Sequence, residues 1–462
     1  MGVIDFLNGR VFGVVVPILL LGVGLYFCIR VGFFHFLHPV KTARLMLEKE
    51  KTGAGESPVR ALLLALAGTL GVGNITGVAL AISVGGAGAV FWMWVSAFAA
   101  MIIRYAEIVL ALDRRKCENG EFHSSAMYYI ADGIGGKAGK AIAFVFAVLC
   151  LLCSFFIGGV IQSSAISECF YEVFSLDRLA CGVVVGALSF FVIIGGAKKI
   201  SSFTASIVPV MTVLYIIISG VAILCRIESV GRVFSDIVTQ AFRFNGIGGG
   251  ALGFLSSEAL RCGVSRGLIS NEAGCGTAPM AHSTSGASHP SKQGLLCIFE
   301  VFIDTVVLCT LTALVILLNC SDVPVGSDEG MLIVISAFSA VFGKWAGIII
   351  SVCIFFFAFA TILCWAYYGQ SCAKYLFSGH GKLYATAFCA SLVLGAVLAP
   401  SFIWGVTDII IGAMTVINVC ALMTKADRVI TLSAEFGLVK IKERECVKRD
   451  EHQRSKDALP CR

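Results

Sequence analysis

"GTLGVGNITG", residues 68–77, interrupts an apolar stretch long enough to cross a membrane and places four glycines and an asparagine in ten residues. Glycine inside a helix costs about 1 kcal/mol relative to alanine. In lipid, a broken helix also leaves amide and carbonyl groups unpaired, at several kcal/mol each, unless protein or a water-filled cavity receives them. The stretch therefore predicts an unwound segment at membrane depth with a protein-lined cavity beside it.

The totals agree with a membrane setting. Of 462 residues, 58% are hydrophobic and 14% charged, with a mean hydropathy of +0.90, whereas soluble domains carry about 25% charged residues. The 50 glycines against 9 prolines fit closely packed transmembrane helices. Most of the 19 cysteines, Cys150 and Cys153 included, fall in apolar runs and read as small buried hydrophobes. No GxxxxGK[ST] loop is present, which argues against an ATP-driven pump. The net charge of +6 lies in loops and tail, so it speaks of topology and not of nucleic acid.

The first apolar run, Val11 to Ile29, is bounded by Arg10 and Arg30 and reads as a retained helix. Further spans are expected near 60–83, 86–112, 139–168, 179–195, 204–225, 246–270, 294–319, 346–370, 383–399 and 403–424, about eleven in all. Lys41, Arg44, Lys49, Lys51, Arg60, Arg114, Arg115, Lys116, Lys198, Lys199 and the basic tail occupy alternate loops. The acidic "NCSDVPVGSDE" (319–329) occupies the other side. The positive-inside rule then puts the N-terminus outside and the C-terminus in the cytoplasm.

The seventh span opens with "NGIGGGALGF" (245–254), five glycines in ten residues. With the first helix set aside, ten spans remain, and the two glycine-broken ones lead each set of five in opposite directions. Interrupted segments at matching positions of two inverted halves point to a transporter's central site. Freed amides there attract a carboxylate, and freed carbonyls replace a cation's hydration shell. Glycines let a small ligand lie against the backbone. These residue types favour a small zwitterion carried with a cation. The competing reading, a glycine packing seam between helices, explains one such segment more easily than two. "GVGNIT" lacks a third glycine and follows no strand, so it is no dinucleotide fingerprint.

Longer phrases resemble the sodium:alanine (alanine or glycine:cation) symporter family of the amino acid–polyamine–organocation superfamily. They are "GVGNITGVALAISVGGAGAVFWMWVSA" (71–97), "RGLISNEAGCGTAPMAH" (266–282), "QGLLCIFEVFIDT" (293–305), "FFFAFATILCWAYYGQ" (355–370) and "MYYI" (127–130). The resemblance runs from about residue 60 to 425. It implies an all-α polytopic membrane protein of leucine-transporter type. Its parts would be an extra N-terminal helix (1–34), inverted five-helix repeats over 60–225 and 245–425, and a charged cytoplasmic tail (426–462). It also implies uptake of alanine or glycine driven by sodium, or less often by protons, across the cytoplasmic membrane. No other cofactor, no nucleic acid and no obligatory protein partner is expected beyond substrate, ion and lipid.

By that resemblance, the amides of Gly71, Val72 and Gly73 hold the substrate carboxylate, with Thr69 and Asn74 beside them. Gly249, Gly250 and Gly253 open the opposite wall. Gln162 is the retained polar residue of the fourth span, and Phe254 and Trp365 close the pocket around a small side chain. The carbonyls of Ala67, Leu70 and Ala358 with the Thr361 hydroxyl resemble the fold's sodium site, and such hard oxygen donors suit an alkali ion. A methyl added at Gly73 is then expected to crowd the substrate. The sequence departs from the family at Gly159 and Ser164, where asparagines are usual, at Gln370, where glutamate is usual, and at "SSAMYYI" (124–130).

Glu300 and Asp304 stand four apart on the eighth span, with Asp304 roughly 15 Å from the cytoplasmic end at helical rise. An intramembrane carboxylate is either a cation or proton carrier or half of a structural ion pair. Both readings stay open for Asp304. Glu258 with Arg261, and Arg104 with Glu107, are spaced as i,i+3 pairs. The tail 426–462 reads as a solvated extension. It leaves an amino-acid sensor built on a transporter frame as the alternative from another class, beside a proton-coupled carrier.

Overall fold

The computed structural model describes residues 12–37, 40, 42, 44, 55–118, 121–242, 258–320, 323–324, 326, 329–377, 381–398 and 400–439. The chain is helical apart from a small hairpin pairing Lys116–Glu118 with Glu121–His123. In chain order the helices are α1 (Gly13–Val31), α2 (Pro58–Thr69), α3 (Thr76–Gly85), α4 (Gly88–Asp113), α5 (Ala126–Ile134) and α6 (Gly136–Phe174). There follow α7 (Arg178–Ile193), α8 (Gly196–Leu224), α9 (Val230–Ala241), α10 (Glu258–Asn271), α11 (Ala278–His282) and α12 (Pro290–Asn319). The last are α13 (Gly330–Phe342), α14 (Ala346–Leu376), α15 (Gly381–Gly395), α16 (Pro400–Thr424) and α17 (Ala426–Glu435).

Among the described residues seven segments are long and apolar enough to cross a membrane, eight with the bent pair α2–α3; α7 and α15 are shorter apolar helices. Exposed side chains show where lipid lies. Val210, Val213, Ile217, Val221 and Leu224 recur at helical spacing along α8, and Val183, Val184, Phe191 and Ile194 mark the α7 segment. A stripe of that size facing water would be an interaction or aggregation surface. Facing lipid, it costs nothing.

Two layers of helices meet at the centre. One contains α4 packed on α10 and α12; the other contains α6 and α8 packed on α14, and α15 packed on α7. Helices α6 and α12 each pass through a widened π turn, at Ser154–Val160 and Phe302–Cys309, a feature frequent at functional sites.

The break near residue 70 forms as expected. Helix α2 starts at Ser57, whose hydroxyl accepts the Arg60 amide at 3.2 Å, with Pro58 in the first turn. It ends before Leu70, and the chain turns by 62° into α3.

The expected second break is outside the described residues, and another interruption lies among them. Residues 245–254 lie outside the described residues, together with Gly249, Gly250, Gly253 and Phe254. The described interruption of this span comes later, at residues 272–277, between α10 and α11. Glu272, Gly274 and Gly276 take positive φ of 52°, 85° and 75° there. Its polar backbone is received by distant side chains. Arg104 donates to the Glu272 carbonyl (3.1 Å), Asn418 to the Gly274 carbonyl (2.8 Å), and the Gly276 amide to Glu107 (3.0 Å). That is the condition under which irregular backbone survives at membrane depth.

The tail also differs. Its first ten residues form α17, with Val429, Leu432 and Ser433 buried. Arg428 pairs with Asp113 at 2.6 Å, Asp427 with Arg30 at 3.0 Å, and Ser433 bonds Tyr105. The amphipathic spacing of its apolar residues, hidden by the surrounding charge, seats it across α1 and α4. Residues 440–462 lie outside the described residues. The described cysteines are free thiols.

Candidate substrate and ion site

The two breaks face one another across a small cavity lined by Gly68, Thr69, Gly71, Gly73, Gln162, Glu272, Thr361 and Trp365, among others. It leaves about 10 Å³ of free space, roughly room for one water. An amino acid needs more, so binding requires the walls to part. Trp404 also lines a second cavity of about 20 Å³ next to it, which Thr76, Ser164, Glu168 and Met331 share. The Arg266 guanidinium lies 4.9 Å from the Trp404 ring centre, with Asp408 3.8 Å away from it.

The first break is held open by side chains. Thr361 donates to the carbonyls of Ala67 (2.9 Å) and Leu70 (3.3 Å), which brings three of the four expected sodium donors together. Ala358 lies one turn earlier on α14 and is buried. Of the three expected carboxylate-binding amides, Gly71 donates to Thr69 (2.8 Å) and Val72 to the Gln162 side-chain oxygen (3.3 Å). Gln162 thus offers Val72 the oxygen that a carboxylate would offer. Its own amide donates to the Ile157 carbonyl in the widened turn of α6. Thr69 bonds back to Leu66 within α2.

Glycine matters most at one position. A Cβ at Gly71 would stand 2.8 Å from the Thr361 hydroxyl and 3.2 Å from Gln162; at Gly73 the nearest neighbours, Ile269 and Ser270, are at 3.8 Å or more. Against the protein itself the crowded position is Gly71, whereas a methyl at Gly73, which also lines the cavity, meets no close protein neighbour. Overpacking costs about 1–3 kcal/mol, roughly five- to 150-fold in binding. Gly71→Ala is expected to weaken amino-acid binding by that factor and to disturb the contact with Thr361 even without substrate; unchanged binding in calorimetric titrations would contradict this geometry. Gly159 faces Ser391, Leu392 and Phe388 of α15 and not the central cavity. Its neighbour Gly158 carries Trp365, whose Cβ leaves no room for a methyl there.

Asn74 turns away from the cavity towards α12. Its amide donates to Asp304 Oδ1 at 2.6 Å, while Ser270 and Thr305 donate to Oδ2 at 2.6 and 2.8 Å. Asp304 is wholly buried, and the Asn74 Oδ1 beside it has no hydrogen-bond partner. Among the described residues no Lys, Arg or His pairs with Asp304. Glu300, one turn before it, behaves otherwise: it pairs with Arg104 at 2.7 Å and His282 at 2.9 Å. The sequence neighbour Glu107 stands 4.0 Å from Arg104, so the expected i,i+3 pair is the weaker contact. Among the described residues, Glu258 and Arg261 form no ion pair, which corrects that expectation; Arg261 Nε has no partner.

Glu272 is the site residue that sequence reasoning missed. It is 2% exposed, lines the central cavity, and accepts from Trp365 Nε1 (2.9 Å) and the Thr277 hydroxyl (2.7 Å). The signal was its place in "NEAGCGT", an acid beside two glycines just past an apolar run.

Comparison with known proteins completes this picture. The model of the sodium:alanine symporter family matches residues 1–449. The chain belongs to the sodium:alanine symporter family. It is 34% identical over 448 residues to the sodium/alanine symporter AgcS of Methanococcus maripaludis, covering 95% of this chain and 98% of that one. It is 32% identical over 442 residues to the probable sodium/glutamine symporter GlnT of Bacillus subtilis, covering 94% and 90%. A crystal structure of MhsT in complex with L-phenylalanine superposes with a TM-score of 0.63 at 14% identity, covering 84% of this chain and 93% of that one. The symporter therefore has the leucine-transporter-type fold. It is a multi-span membrane transporter of the cation-coupled amino-acid class and not an enzyme.

Proposed function

We propose that this symporter imports a small neutral amino acid, alanine or glycine, together with sodium by alternating access across the cytoplasmic membrane, its N-terminus outside and its C-terminus inside. The observation that carries the reading is the convergence of Gly71, Gln162, Thr361 and Trp365 on one small cavity between two helix breaks. The close approach of the backbone at Gly71 and the indole of Trp365 lining the same cavity are what favour a small side chain once the walls part. Relatives named for alanine and for glutamine at similar identity make the pocket, and not overall similarity, the basis for choosing the substrate. The basic residues Arg30, Arg114, Arg115 and Arg428, gathered with α17 at one end, support the orientation.

Two oxygen-lined places support cation coupling. One is the Thr361 hydroxyl with the Ala67 and Leu70 carbonyls. The other is Asp304 with Asn74, Ser270 and Thr305, where a carboxylate surrounded only by neutral donors calls for a cation or a proton.

Counterflow of labelled alanine in proteoliposomes tests the reading. Exchange that requires sodium is expected, with glycine competing and leucine not. Binding without exchange would make the protein a sensor, and exchange driven by a pH gradient but indifferent to sodium would make it a proton-coupled carrier. Thr361→Ala is expected to raise the sodium concentration for half-maximal uptake by about tenfold, the loss of one charge-assisted contact. An unchanged sodium dependence would remove Thr361 from the ion site.

A further inference from the structure

Glu272 brings a carboxyl group into the central cavity, and among the described residues no cationic side chain forms an ion pair with it. Arg104, the nearby cation, spends its guanidinium elsewhere: one nitrogen bonds the Glu272 carbonyl at 3.1 Å and the other pairs with Glu300 at 2.7 Å. The two carboxylate oxygens of Glu272 receive one neutral donor each, from Trp365 and Thr277. A carboxylate has about four acceptor sites, so capacity remains on the oxygens of this cavity-lining side chain. The residue also holds a φ of +52° without being glycine, a conformation that costs of order 1–3 kcal/mol and persists where the surroundings require it.

We infer that the Glu272 carboxylate is the counter-charge for the substrate's α-ammonium group. The inference rests on the reading of the protein as a carrier of small zwitterions. Across the same cavity, the amides of the Gly71–Gly73 turn, one of them capped here by the Gln162 side-chain oxygen, are the donors for the substrate's carboxylate, so the two poles of a small amino acid meet two opposite walls. An ammonium placed at Glu272 meets a carboxylate with acceptor sites still open, which a low-dielectric interior favours over an unpaired charge.

The test compares alanine with lactate, which replaces the ammonium by a hydroxyl, in equilibrium binding to the purified full-length protein in sodium. Wild type is expected to prefer alanine by about 100-fold or more, the scale of truncating a desolvated charge pair. Glu272→Gln should lower alanine affinity by a similar factor and leave lactate within about threefold, while Glu272→Asp recovers part of the preference. Trp365→Phe should retain the alanine-to-lactate ratio even where both affinities fall.

Three results overturn the inference: a Glu272→Gln protein that binds alanine within about threefold of wild type, a Trp365→Phe protein that loses the ratio as fully as Glu272→Gln, or wild type that binds lactate as tightly as alanine. The last needs no variant and so survives a folding defect. Wild type that binds no small amino acid at all would overturn the carrier reading itself, a different outcome from any of these.

Discussion

Replacing Arg104 with methionine is expected to lower the yield and thermal midpoint of the folded protein severely. The guanidinium is wholly buried and serves three segments at once: Glu300 of α12 at 2.7 Å, the Glu272 carbonyl of the second break at 3.1 Å, and Glu107 of its own helix at 4.0 Å. Methionine fills similar volume but leaves Glu300 and Glu107 buried with less compensation and the Glu272 carbonyl without its donor. Removing one partner of a buried pair costs about 3–5 kcal/mol, against a total stability of about 5–15 kcal/mol for folded proteins generally. Arg104→Lys should fall between, because an ammonium cannot fork between two acceptors as guanidinium does. Removing Glu300 as well, in Arg104→Met with Glu300→Gln, should recover part of the loss. Monodisperse yield and thermal midpoint in detergent measure this, and a single variant that melts like wild type would sink the account.

Asp304→Asn is expected to end concentrative uptake while leaving the protein folded. The substitution keeps the shape of the side chain; its amide oxygen can face the Asn74 donor, and the Ser270 and Thr305 hydroxyls can turn to accept from its NH2. What it removes is the ionisable carboxyl, which no described cation pairs with and which the proposed reading assigns to the coupling ion. Accumulation driven by a sodium gradient should then drop to the level of empty vesicles, with a normal melting profile. Full sodium-driven accumulation by the variant would return Asp304 to a purely structural place. Poor expression with normal transport per folded molecule would do the same. Glu300 is the useful contrast: its pairing with Arg104 and His282 predicts that Glu300→Gln lowers stability first and transport only in consequence.

Local sequence alone was enough for several of these conclusions. Membrane class follows from composition, since the cost of exposing apolar surface is local and additive. The first break follows from glycine density, and the approach of Thr361 to the carbonyls of Ala67 and Leu70 was legible through the family phrases on both segments. Other features were settled only in three dimensions. The break at Glu272–Thr277 carries a weaker local signal, and it is satisfied there by Arg104, Glu107 and Asn418 arriving from other helices. Arg104 has a carboxylate three residues away and binds more closely to one 196 residues away. Gly71 and Gly73 look equivalent in the sequence and differ because Thr361 and Gln162 crowd only the first. Periodicity and composition record free energies that each residue carries by itself. Which amide, carboxylate or methyl finds a partner is set by what the fold brings within about 3 Å of it, and no local pattern contains that distance.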